Sequence, residues 1–428
     1  MKNLFFILLI NLFPAQQIWT LKQSLDYAST HHPLIMQATV NIQKNDRQIS
    51  AAKGMLLPSV EAGVNHNYSF GSSIDQTTNQ RGALNTQYDQ VYAQANWEMV
   101  NWRNFLNISL SKINKESSTF RLKQAQNEVK LNVIQTFFDY QNSKSFLDVL
   151  QTQISGIEGQ IKRTEKEVEI GSRPKSDVYD IKANLGTLQE QWVSAKNTRD
   201  LSKINLLNAL AITKDTLDFQ MSEENLADSN FNDPEFIKNL IEKNPAYKTT
   251  MTETKAFEKN ISIAKSAYLP TLVGSYTWSS FYSKTLGETT DPFSEQFNRN
   301  KNQQVGFGLN IPIFNKLQVK NNVEIAKLNV INSNYEQEII INNLTKTFNS
   351  IKTQYQNAEK KYTLLKDNFE NQRLSFEKSE EKYKEGLMDA YTFFVVRNNF
   401  LQANYNLILS KNDVMQQTEL LKVLNGDF

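Results

Sequence analysis

Leu57-Pro58-Ser59-Val60-Glu61-Ala62-Gly63-Val64-Asn65-His66-Asn67-Tyr68-Ser69-Phe70 carries the reading on which the fold turns. From Val60 to Phe70 the even positions are mostly apolar and the odd ones polar or small, a period of two that marks a strand with one greasy and one wet face. A second such strand follows, with Val91, Ala93, Ala95 and Trp97 alternating with Gln90, Tyr92, Gln94 and Asn96. The pair returns later in the chain. Leu272, Gly274, Tyr276 and Trp278 alternate with Val273, Ser275, Thr277 and Ser279; Val305, Phe307, Leu309, Ile311 and Ile313 alternate with Gln304, Gly306, Gly308 and Asn310. Strands are therefore expected at about 59–70, 87–98, 271–282 and 303–314. Dyad patterning over roughly ten residues with aromatics near the ends is that of a transmembrane barrel strand. A soluble hairpin sheet with one buried face would give the same pattern for any single hairpin. The long polar loops Gly71 to Thr86 and Ser283 to Asn302, and the lack of a compact apolar layer to cover the sheet, favour the barrel.

Four strands cannot close a barrel, because the smallest membrane barrels have about eight and an open edge in lipid leaves backbone groups unsatisfied. The chain must oligomerise, and three copies of four strands would make a barrel of twelve. The recurrence also runs beyond the strands. His32-Pro33 lies over Asn244-Pro245, Ile49-Ser50-Ala51-Ala52-Lys53 over Ile261-Ser262-Ile263-Ala264-Lys265, and Leu57-Pro58 over Leu269-Pro270, without a gap. Farther along Gly171 falls on Gly386. So long a period is a duplicated domain rather than a solenoid array. The expected organisation is a first repeat over 16–213, a polar, acidic connector over 214–232 and a second repeat over 233–428.

The remainder of each half reads as helix. Between Trp102 and Ile170 there is no proline, and Tyr140, Leu147, Leu150, Ile154, Ile157, Ile161 and Val168 follow a three-four spacing. That is one helix of about 68 residues, or roughly 100 Å at 1.5 Å per residue. Phe348, Ile351, Tyr355, Ala358, Tyr362, Leu365, Phe369, Phe376 and Tyr383 keep the same register in the second half, and sustained heptads mean a coiled-coil seam. Each long helix ends near a glycine, Gly171 or Gly386, from which a second helix returns, giving helical hairpins over about 102–212 and 316–425. Shorter helices, Leu34 to Met55 and Ala246 to Ala267, deliver the chain to Pro58 and Pro270, where the strands begin.

Composition removes whole classes of chemistry. The 428 residues hold no Cys and three His, His31, His32 and His66, so disulfides, thiol catalysis, thiolate metal sites and His-based triads have little or nothing to be built from. A net charge of +2 supplies no field for nucleic acid. No phosphate loop of the GxxxxGK[ST] type is present, and no cofactor or enzymatic activity is indicated. Met1-Lys2-Asn3, the apolar run Leu4 to Phe13 and Pro14-Ala15-Gln16 have the layout of a secretory signal peptide over 1–15, although Phe13 stands where a small residue is usual.

The two-fold duplication, the turns Leu57-Pro58 and Leu269-Pro270 and the glycine tips resemble the TolC-like outer-membrane efflux proteins. The most specific local piece is Gly171-Ser172-Arg173-Pro174-Lys175-Ser176-Asp177-Val178-Tyr179-Asp180, similar to that family's periplasmic helix tip. The resemblance implies an α+β membrane protein: a homotrimeric 12-stranded β-barrel in outer-membrane lipid, continued into the periplasm by a long coiled-coil α-barrel. It also implies a periplasmic membrane-fusion adaptor, met at Gly171, Ser172, Gly386 and Leu387, and an inner-membrane transporter of the RND, ABC or MFS type. The family's constriction uses aspartates six and nine residues after the second tip glycine, where this chain has Thr392 and Val395. The equivalents in the first half are Asp177 and Asp180, and Asp389 lies near the second tip, so these three are the expected mouth residues. A carboxylate ring at a narrow mouth attracts cations; the competing reading is that they are solvated residues opening a helix. The alternative function is a non-conducting periplasmic or outer-membrane coiled-coil scaffold.

Overall fold

The computed structural model describes residues 17–74, 79, 81–83, 85–214, 217–221 and 234–426. The expected signal peptide, 1–15, and most of the connector lie outside the described residues. In chain order the elements begin with β1 (Gln17–Trp19), α1 (Leu21–His31), α2 (Pro33–Gly54), β2 (Ser59–Ser69), β3 (Ser72–Ile74), β4 (Arg81–Ala83) and β5 (Thr86–Val100). Then come α3 (Trp102–Glu169), α4 (Lys175–Ala209), β6 (Leu217–Phe219), α5 (Pro234–Lys243) and α6 (Pro245–Ser266). The chain finishes with β7 (Thr271–Thr285), α7 (Phe293–Arg299), β8 (Asn302–Asn310), α8 (Gln318–Lys384) and α9 (Ala390–Asn425). Among the described residues no helix is long and apolar enough to cross a membrane.

The chain divides into two compact units, one of them made of residues 41–119 and 249–338. Its centre is an antiparallel sheet in the order β2-β5-β7-β8. Register decides which residues share a face. Val60 lies opposite Ala95, Ala95 opposite Tyr276 and Tyr276 opposite Val305; Ala62, Ala93 and Trp278 form the next row. Directly opposed residues project to the same side, so the four greasy rows read from the sequence merge into one continuous face. Glu61, Gln94, Thr277 and Gln304 line up on the other. Both edge strands expose their apolar residues, Val60 and Val64 on β2 and Val305, Phe307 and Leu309 on β8. Strand β8 stops at Asn310, so Ile311 and Ile313 lie outside the ladder that the alternation predicts; Pro312 between them has no N–H to donate. The expected polar loop after β7 contains α7, which sequence periodicity does not announce. Helical stretches accompany the sheet: Lys115 pairs with Asp46 at 2.7 Å, joining α3 to α2, and Thr254 meets Ser333 at 2.7 Å, joining α6 to α8.

The other unit comprises residues 1–40, 120–248 and 339–428. One core cluster gathers Leu25 and Ala28 of α1, Val133, Ile134, Phe137 and Phe138 of α3, Leu206 and Leu210 at the end of α4, Leu217 and Phe219 of β6 and Val423 of α9. A second repeats the arrangement with other elements, placing Leu240 of α5 against Phe348 and Tyr355 of α8 and Val414 and Leu421 of α9. A third packs the α3 seam residues Leu150, Ile154, Ile157 and Ile161 against Leu188 and Ala195 of α4. The heptad positions read from the sequence thus supply the α3/α4 contact. The stretch read as a plain connector contains β6, which pairs in parallel with β1. A three-residue strand whose partner lies about two hundred residues away leaves no periodicity to detect.

Candidate functional site: the two helix tips

Both tips are built the same way. At the end of α3, Gly171 has φ +76° and its N–H donates to Val168 O at 3.0 Å, while the Ser172 N–H donates to Glu167 O at 2.8 Å. At the end of α8, Gly386 has φ +75°, its N–H donates to Tyr383 O at 3.2 Å, and the Leu387 N–H donates to Lys382 O at 2.8 Å. This is a Schellman motif, which satisfies two orphan carbonyls and requires a left-handed residue. A Cβ at either glycine would meet nothing within 4 Å, so backbone conformation and not crowding selects glycine there. Ser172 and Leu387, both exposed, stand one residue beyond.

The chain resumes helix four residues after each glycine, with different chemistry at the two starts. In the first tip Pro174 occupies the cap position without a side-chain hydrogen bond, and Asp177 lies in the first turn of α4. Arg173 bridges the turn, its Nε 2.8 Å from Glu167 Oε2 on α3 and its Nη1 3.4 Å from Asp177 Oδ2 on α4. Asp180 is exposed, one helical turn further on. In the second tip Asp389 is itself the cap of α9: Oδ1 accepts from the Thr392 N–H at 2.9 Å and Oδ2 from its hydroxyl at 2.6 Å. The Thr392 hydroxyl and backbone N–H hold the Asp389 carboxyl below its ordinary value, and the Arg173 guanidinium adds to this from the other tip. Asp389 is therefore equivalent to Pro174, and Thr392 to Asp177; the three acids expected at the mouth do not occupy one kind of position. Asp177 and Asp180 sit together on α4, and Asp389 is engaged in capping.

Behind the tips lie residues that sequence reasoning passed over. Arg163 stacks on the Tyr383 ring at 4.8 Å. The Arg397 guanidinium lies against Gly156, where any Cβ would collide with it. Gly156 and Gly159 are the only glycines of α3, and the absence of side chains there is what opens a groove on that helix. Arg173 had a signal too, an acid six residues before it and another four after it across a glycine turn. Among the described residues no group of three or more His, Asp or Glu side chains converges to hold a metal ion.

Residues 25–211 and again 236–427 match the family model "Outer membrane efflux protein". The outer membrane protein TolC of Escherichia coli (strain K12) is 21% identical over 348 residues, 78% of this chain and 68% of TolC. Among solved structures, the Campylobacter jejuni CmeC outer membrane channel matches 95% of this chain and 85% of its own with a TM-score of 0.75 at 16% identity. The Vibrio cholerae outer membrane protein VceC matches 95% of this chain and 96% of its own with a TM-score of 0.75 at 12% identity. Such identities establish a shared fold. The two family matches together take in nearly all of the chain from α1 onward, and the chain belongs to the outer membrane efflux protein family, with its place in the outer membrane.

Proposed function

We propose that this protein is the passive outer-membrane duct of a tripartite efflux or type I secretion system and that it works as a homotrimer. The observation that carries the reading is a sheet with one apolar face and two apolar, unpartnered edges, β2 and β8. In lipid each unpaired backbone group costs several kcal/mol, so β8 of one copy must pair with β2 of the next. Three copies close the ring at twelve strands, apolar face outward and polar face lining an aqueous lumen. The duplicated order of helix, two strands and helical hairpin, matched twice by the family model, supports a periplasmic α-barrel made of α3, α4, α8 and α9 from each copy. Exposed apolar residues on α4, such as Val193, Leu201 and Ile204, and on α8, such as Leu364 and Leu374, suit the contacts between copies.

The tips around Gly171 and Ser172 and around Gly386 and Leu387 meet a periplasmic membrane-fusion adaptor. An inner-membrane transporter of the RND, ABC or MFS type supplies the energy, since the duct itself only conducts. Six carboxylates, Asp177 and Asp180 from three copies, line the closed mouth and favour cations. The reading is tested by the protein-only mass of the complex from detergent-solubilised outer membranes, measured by light scattering, followed by conductance in planar bilayers. A mass of three chains and ohmic channels are expected. A stable single chain, or a protein released without detergent, overturns it in favour of a scaffold. Replacing Asp177 and Asp180 together by Asn is expected to reduce cation preference, and an unchanged reversal potential in a salt gradient would remove the carboxylate ring.

A further inference from the structure

Strand β8 is too short for the sheet it closes. Its last rung toward the β7–β8 loop pairs Asn302 with Ser279, whereas β7 continues to Thr285 along β5. The residues from Ser280 to Lys284 therefore have β5 on one side and, among the described residues, no strand on the other. Helix α7 lies along this overhang and imitates a strand with its side chains. The Gln296 amide accepts from the Ser283 N–H at 3.0 Å and donates to Ser283 O at 3.0 Å, the pair of bonds that a β partner would make. Asn300 Nδ2 donates to Phe281 O at 3.0 Å, and the Ser280 hydroxyl donates to Phe297 O. Gln296 is only 2% exposed, so this clamp is part of the wall and not a surface decoration.

The aromatic side chains of α7 lean over the apolar face: Phe297 packs edge-on to Trp278 at 6.2 Å and Phe293 against Tyr282 at 5.5 Å, with 5.4 Å between Phe293 and Phe297. Trp278 and Tyr282 belong to the same face as Val60 and Ala93. The opposite edge of the sheet has the complementary deficit. Residues of β2 beyond Gly63, which is level with Asn302 through Tyr92 and Ser279, run to Ser69 with no strand on their outer side among the described residues. There His66, Tyr68 and Phe70 form an aromatic row, Tyr68 edge-on to His66 at 4.9 Å and stacked on Phe70 at 6.2 Å, with Tyr68 50% and Phe70 73% exposed.

We propose that α7 is an inter-subunit wedge, filling the notch left by the short β8 and packing Phe293 against the Tyr68–Phe70 row on β2 of a second copy of this chain. The inference rests on the ring of copies proposed above, because β8 of one chain meets β2 of the next only in such a ring. A flush pair of edges would need no wedge; two edges that both outrun β8 leave a gap in the wall where lipid or water would meet unpaired backbone. Phe293, 51% exposed within one chain, provides the apolar surface that closes it.

The absence of cysteine makes the test clean. Chains carrying Phe293→Cys and chains carrying Phe70→Cys are co-expressed in differently tagged forms, and the assembled complex is treated with a short bismaleimide in native membranes. A covalent product containing both tags is expected, absent when either cysteine is missing. Light scattering on the same samples separates the two levels of the argument. A complex of three chains without the mixed product overturns the wedge and leaves the trimer standing, and a single-chain mass overturns both. Quantitative labelling of Phe293→Cys by a lipid-phase maleimide, with no mixed product, would assign α7 to lipid instead. Phe293→Ser, which leaves the Gln296 clamp in place, is expected to lower the temperature at which the assembled complex dissociates in SDS, and no change there counts against the wedge.

Discussion

Asp218 lies in the stretch read from the sequence as a connector, yet it ties two elements together. Its carboxylate accepts from the Tyr140 hydroxyl at 2.7 Å, from Lys144 Nζ at 2.9 Å and from the Phe219 N–H at 2.8 Å, tying β6 to α3. Burial by itself would raise its pKa, but the hydrogen bonds from Tyr140, Lys144 and the Phe219 backbone outweigh it and bring the carboxyl below its ordinary 3.8. Burial, reinforced by Asp218, pushes the Tyr140 hydroxyl well above its usual range. A depressed carboxyl stabilises the fold above its unfolded pKa, and that contribution is lost as pH falls through the lower, folded value. Asp218→Asn should therefore cost about 1–2 kcal/mol at neutral pH, a figure kept low because the pair is partly solvated. Thermal melts followed by circular dichroism should show the variant and the parent converging as pH drops below about 4. At the second tip, Asp389→Ala should cost about 1 kcal/mol and Asp389→Asn much less, since Asn caps equally well. Gly386→Ala should cost about 1–2 kcal/mol through its positive φ. Faster amide exchange confined to the first turn of α9 would register the cap, and exchange unchanged by Asp389→Ala would deny Asp389 that role.

Helix α9 meets α8 and α3 through different mixtures of side chains. Toward α8 the contact is a ladder of rings, Phe369 and Phe376 on Phe400 at 5.6 and 4.9 Å, then Phe376 and Tyr383 on Phe393 at 5.9 and 4.4 Å, all at heptad spacing. Toward α3 apolar contacts, such as Phe146 on Tyr405 at 5.1 Å, are joined by amide pairs, Asn412 to Asn142 at 2.8 Å and Gln416 to Gln135 at 3.0 Å. Half-buried Phe376 joins two rungs of the ladder, so Phe376→Ala should cost about 1–2 kcal/mol, read as faster amide exchange in α8 and α9 near the tip and little change in α3. Equal effects in all three helices would mean that they move as one body. The seams that repeat every seven residues, the dyad strands and the glycine turns were legible because each rests on a local period or a single conformational requirement. Other elements were legible only in part or not at all. β1 and β6 are too short to show a period, α7 has only Phe293 and Phe297 to mark a helical face, and β8 reads longer than it is because alternation persists through Pro312. The acids expected at the mouth were chosen by position, and Asp389 was grouped with Asp177 because a sequence does not show which residue starts a helix. Arg173, Arg163 and Arg397 act through contacts across a turn or between helices, which spacing along one chain does not reveal.

On the scale of the molecule, the proposed ring would meet lipid through the band of sheet β2-β5-β7-β8, since among the described residues no helix is long and apolar enough to cross a membrane. In such a ring assembly and membrane insertion would be a single event, and insertion should fail in variants that block the β2 or β8 edge. Val64→Pro and Phe307→Pro each remove a ladder donor from an edge, and are expected to leave the chain in the periplasm as a form released without detergent. Recovery of either variant as trimers in the outer membrane would contradict the edge pairing. The core around Phe219 carries a further implication, for the time course of folding. Strand β1 emerges at the start of the chain, β6 follows it only after roughly 200 residues, and Val423 reaches the same cluster from the last turns of α9. No partial product can finish that core. A chain interrupted before α9 keeps Leu206, Leu210 and Phe219 without their last covering residue, a greasy flag that envelope proteases can find. The connectivity would thus act as a proofreading step: chains truncated before α9 are expected to be degraded faster than the full chain in a pulse-chase measurement, and equal lifetimes would deny it.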